Sequence, residues 1–130
     1  MVGAYDAGPI LDVSFIAGGT LTTKQFYFVK LSADNTVVVC DGATDKPIGI
    51  LQNKPASGQS AKVRMIGISK LVSSGNIGYG VDVGTDGSGK AIAKTANKDI
   101  APCVVLQGAT QDGEIMTVAV NCTNTNRMSL

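Results

Sequence analysis

Apolar and polar residues alternate with a period of two through much of this 130-residue chain. No stretch sustains the i, i+3, i+4, i+7 spacing of an amphipathic helix over a helical length. In ILDVSFI, 10–16, Leu11, Val13 and Phe15 fall on one face and Asp12 and Ser14 on the other, the pattern of a half-buried strand. AGGT follows as a turn. Further strands are predicted in QFYFVKL (25–31), TVVVC (36–40), PIGILQ (47–52), AKVRMIGISKLV (61–72), VDV (81–83), AIAK (91–94), PCVVLQ (102–107) and IMTVAV (115–120). Gly67, inside the longest run, predicts a bulge or bend. Short strands with turn signals between them point to an all-β protein, a small barrel or sandwich.

A phrase is written twice. PIGILQNKPASG begins at Pro47 and PCVVLQGATQDG at Pro102, so that Pro, Leu, Gln and Gly recur 55 residues apart. Val37 then meets Ile92, Leu51-Gln52 meets Leu106-Gln107, Gly58 meets Gly113 and Val63 meets Val118. Each Pro opens a strand, where a missing N–H costs least, and each Gly sits in the returning turn. The pattern predicts two similar β units stacked or closed on each other, too few copies for a solenoid. The chain divides into residues 1–20, an N-terminal arm or first strand, and 21–122, a single β domain with units at about 25–66 and 80–121. Residues 123–130 form a polar tail.

Composition changes the picture little. Hydrophobic residues make up 44% and charged residues 16%, below the roughly 25% of ordinary domains. The net charge of +1 comes from dispersed Lys and Arg, which argues against nucleic acid as a partner. The N-terminus lacks a secretory pattern and no run is long enough for a membrane span, so a soluble protein made inside a cell, without a membrane partner, is expected. Cys40, Cys103 and Cys122 are odd in number and widely spaced, which predicts free thiols rather than a zinc site or disulfide framework.

Candidate chemistry is sparse. Gly84, Gly89 and Lys90 in GTDGSGK match a phosphate loop, but Ala91 stands where Ser or Thr should hold magnesium, and no helix pattern follows. A hairpin turn is the better reading. Asp82 and Asp86 miss calcium-loop spacing. Asp41 with Asp45, and Asp112 with Glu114, read as turn carboxylates rather than acid–base pairs. With no His, triads of the usual kind are closed off. Neither an enzyme nor a cofactor is expected. Tyr5 sits on an otherwise flexible segment and suits a partner anchor. Two readings of the start of the chain stand side by side. Tyr5, Ile10, Leu11, Val13, Phe15 and Ile16 are an arm that grips a partner, or 10–16 is the first strand of the body.

The doubled pattern resembles the bacteriophage capsid decoration, or cement, proteins of the small β-rich family. The matching stretches are SADNTVVV, KPIGILQNKPASGQSAKV with RMIGISKLV, GYGVDVGTDGSGKAIA and IAPCVVLQGATQDGEIMTV, over about residues 25–120. Cys103-Val104 replaces the Ile-Gly seen at 48 and 49. The resemblance implies a β-tulip-like fold with an extended N-terminal arm. It implies a structural virion protein on the capsid exterior, binding the major capsid protein as a homotrimer and bridging its subunits. Another virion role, as a head fibre base, tail component or host-glycan-binding module, is the alternative. A nucleotide-binding enzyme is the least favoured.

Overall fold

The computed structural model describes residues 10–96 and 99–123, and those residues contain nine strands and no helix. They are β1 (Leu11–Ala17), β2 (Phe28–Ala33), β3 (Thr36–Val39), β4 (Gly49–Leu51), β5 (Ser60–Val72), β6 (Asp82–Thr85), β7 (Ala91–Ala93), β8 (Cys103–Gln107) and β9 (Ile115–Asn121). All belong to one sheet, ordered β1-β3-β2-β4-β5-β9-β8-β6-β7. β1 also pairs with β5, so the first five strands close into a barrel. The other four extend from the far half of β5. A single parallel bridge between Ser73 and Ala91 ties their last strand back.

The strand order reads the same from either end of this arrangement: β3-β2-β4-β5 meets β9-β8-β6-β7. The doubled phrase is therefore a doubled β unit, joined where β5 and β9 run antiparallel. Hydrogen bonds repeat with it. The N–H of Leu51 donates to the Tyr27 carbonyl and that of Val105 to the Val81 carbonyl, each at 3.0 Å. Ala17 exchanges N–H and C=O with the Gln59 carbonyl and the Gly58 N–H, and Ser73 does the same with Glu114 and Gly113.

These bonds correct the sequence alignment. Leu51 matches buried Val105, not Leu106, which is 43% exposed. The register shift between Val105 and Gln107 adds one residue, so Val63 and Val118 still correspond. The two LQ pairs share letters but not places.

β5 is long enough to wall both units. Ala61 and Val63 point into the first core and Leu71 into the second. Gly67 (φ 127°) marks the passage between them, with Ile10 packed where its Cβ would be. The first core gathers Leu21, Val29, Val37, Leu51, Ala61 and Val63. The second takes Val83, Val105, Met116 and Val118 from its own strands and Phe28 and Ile50 from the outer face of the first unit. The two units thus share buried apolar surface and are bound by more than a strand.

Candidate functional site

Tyr5 lies outside the described residues. The other five candidates at the start of the chain divide by side-chain direction. Val13 stands opposite buried Val63, and Phe15, opposite Ala61, packs on the first core. These two serve the barrel. Ile10, Leu11 and Ile16 are 54%, 42% and 50% exposed. Leu11 does not share the face of Val13 and Phe15, because the register slips between Leu11 and Asp12 and sets Leu11 against Ile66. Residues 11–17 are an integral strand, and the exposed apolar side chains sit at its outer face and free end.

Asp12 anchors that strand. Arg64 Nε and Nη2 donate to its two carboxylate oxygens at 2.8 and 2.9 Å, a bidentate pair across β1 and β5. Lys62 Nζ lies 3.7 Å away. The Arg64 hydrogen bonds hold the Asp12 carboxyl below its ordinary value, against the opposing effect of partial burial. Arg64 Nη1 also donates to the Ile68 carbonyl, 2.8 Å, so the guanidinium is fixed across the bend at Gly67.

Gln52 has a structural role that spacing did not expose. Its Nε2 donates to Ser69 Oγ (2.9 Å) and the Ile50 carbonyl (3.0 Å), and its own carbonyl accepts from Gln25 Nε2. Beside it opens a cleft of about 300 Å³ lined by Phe26, Arg64, Ile68, Ser69, Lys70 and Thr117. The apolar run 25–31 predicts a strand at Phe26, but β2 begins only at Phe28. Phe26 instead holds a left-handed backbone, φ 67°, and is only partly buried. No sequence signal marks such a residue, since left-handed backbone usually announces itself as Gly or Asn.

GTDGSGK is a hairpin turn. Thr85 pairs with Ala91, and Asp86 Oδ1 accepts from the N–H groups of Ser88 and Lys90 at 2.8 and 2.9 Å. Two of its three glycines, Gly84 and Gly89, are closely packed, and Gly87 at the tip meets nothing within 4 Å. Gly89 (φ 85°) lies against Val39 and the Phe28 and Cys40 carbonyls, and Gly84 against the Ile100 carbonyl. Lys90 reaches Asp112 at 2.7 Å.

The turn carboxylates Asp41, Asp45 and Glu114 also have structural partners. Lys30 holds Asp41 and Asp45 at 2.6 and 2.9 Å, and Glu114 accepts from the N–H of Thr110 at 2.6 Å. Cys40, Cys103 and Cys122 are free and buried; burial pushes the Cys40 and Cys122 thiols up to about 12 and raises Cys103 as well. Thiols held protonated in this way are poor nucleophiles.

Charge is uneven between the units. Residues 10–75 carry seven Lys and Arg against four Asp, and 76–123 carry three Lys against five Asp and Glu. Among the described residues, no group of His, Cys, Asp and Glu is arranged to hold a metal.

A family model described as phage cement protein matches residues 6–122. No curated protein matches the sequence. Among solved structures, the head fiber N base of bacteriophage phi29 is similar in fold, with a TM-score of 0.63 at 12% identity. The match covers 94% of this chain and 100% of that one.

Proposed function

The chain belongs to the phage cement protein family, and from that premise we propose that it binds the outside of a phage capsid and bridges neighbouring major capsid subunits as a homotrimer. The observation that carries this reading is the family match over nearly the whole described body. The fold supports it. Two β units share one 13-residue strand and one another's buried surface, which makes a stiff body with little to reorganise on binding. A body repeated over a lattice gains from multivalency, so modest contacts suffice. Contact is made by Ile10, Leu11 and Ile16, exposed at the start of the chain, together with Tyr5.

The test is to add purified protein to shells built from the phage's major capsid protein and heat them. The expected result is co-sedimentation and a higher shell disruption temperature. Shells that neither bind the protein nor gain stability would sink the proposal. The likeness to a head fiber base favours a second reading, in which the protein is the capsid-proximal foot of a fibre. Copy number separates them: a decoration protein approaches the number of capsid subunits, whereas a fibre foot is far scarcer.

A further inference from the structure

Phe26 and Asn35 are the non-glycine residues with positive φ among those described. Asn35 sits in a tight turn between β2 and β3, where Asn tolerates that backbone. Phe26 has no such excuse. Its counterpart in the second unit is Gly80 (φ 78°), where an added Cβ would meet nothing within 4 Å. The backbone there does not need a side chain, yet the first unit carries a large ring against the left-handed penalty. One part of the ring packs on the second core and the rest walls the cleft.

The charged side chains lining that cleft are both cations. Arg64 is committed to Asp12 and to the Ile68 carbonyl. Lys70 makes no ion pair among the described residues, and its ammonium lies 5.7 Å from the centre of the Phe26 ring. Thr117 stands directly opposite Lys70 across β5 and β9, and its hydroxyl makes no hydrogen bond among the described residues. Directly opposed side chains lie about 5 Å apart. An ammonium over the Phe26 ring with no anion paired to it, and a hydroxyl with no hydrogen-bond partner among the described residues, therefore stand side by side above an apolar wall of Phe26 and Ile68. An anionic acceptor on a short aliphatic stem complements that set. The excess of basic over acidic residues in the first unit favours an acidic partner in the same way.

We propose that the Phe26–Lys70–Thr117 cleft receives the carboxylate of an Asp or Glu side chain on the capsid surface. The inference rests on the capsid-binding reading above and names the chemistry of its contact. The experiment titrates wild type, Lys70→Met, Thr117→Val and the double variant against shells of the phage's major capsid protein, with melting curves of each free protein. Both positions are at the surface, so melting should stay near wild type. Each single variant should bind about tenfold more weakly or worse, the usual effect of losing a hydrogen bond to a charged group. The double variant should lose less than the product, because both donors serve one carboxylate. Wild-type binding that survives in all three variants overturns the cleft and leaves the capsid reading standing. Absence of wild-type binding overturns both.

Discussion

Phe26 and Gly80 hold the same left-handed backbone at the same place in the two β units. Each donates its N–H over 2.7 Å to the carbonyl of a matched core residue, Phe26 to Leu51 and Gly80 to Val105. Gly80→Ala adds a Cβ that touches nothing, so its cost is the backbone alone, about 1 kcal/mol. Asn at the same position should cost less, since its side chain tolerates this region. Urea midpoints of the two variants check this. Equal stability of wild type and Gly80→Ala would show that the backbone there is not held left-handed.

Asp12→Asn should cost about 2 kcal/mol at neutral pH, because the half-buried Arg64 loses a bidentate charged partner. The sign with pH follows from the lowered Asp12 carboxyl. Its contribution is complete above the unfolded value of 3.8 and drains away as pH falls through the lower folded value. The gap in melting temperature between wild type and variant should therefore be widest near neutrality and shrink below about pH 3.8. A gap independent of pH would rule the ion pair out as its source.

Much of this fold was legible because period-two alternation and turn residues act locally. The strands from β2 to β9 fall within a few residues of their apolar runs, and Gly67 marks the bend. The doubled unit was legible for the same reason, although letters misled the alignment: a bulge after Val105 moved Leu106 outward, and a bulge is a tertiary compromise that no letter announces. The slip at Leu11 is of the same kind. The cleft was not legible. It joins Phe26 from the segment before β2, Arg64 and Lys70 from β5 and Thr117 from β9, and its key residue adopts a backbone its type disfavours.

In the turn of the β6–β7 hairpin, glycine and lysine should part company. Gly89→Ala would push a Cβ to 2.6 Å from Val39 and leave a non-glycine at φ 85°, at the point where the Phe28 N–H donates to the Gly89 carbonyl (2.8 Å) and joins the units. The expected loss is more than about 2 kcal/mol, from backbone strain and overpacking together. Lys90→Ala removes only a surface pair with Asp112 and should leave the melt close to wild type. Thermal melts of both variants decide it, and a larger loss for Lys90 would reverse the assignment of roles.

Truncation should separate the contact role of the N-terminus from its structural one. Removing residues 1–9 leaves every described strand of the sheet in place, since β1 begins at Leu11. The body should melt as before, while capsid binding falls with the loss of Tyr5. Removing residues 1–17 deletes β1 itself. That opens the barrel between β3 and β5, strips Phe15 and Ala17 from the first core, and leaves Arg64 without Asp12. An exposed β5 edge then has unpaired N–H and C=O groups along half its length, a template for aggregation. The longer deletion should be insoluble or melt far below wild type. Circular dichroism and co-sedimentation on both truncations distinguish the roles. A well-folded protein lacking residues 1–17 would show that β1 is not part of the body, and unchanged capsid binding without residues 1–9 would confine the contact to Ile10, Leu11 and Ile16 on the folded strand.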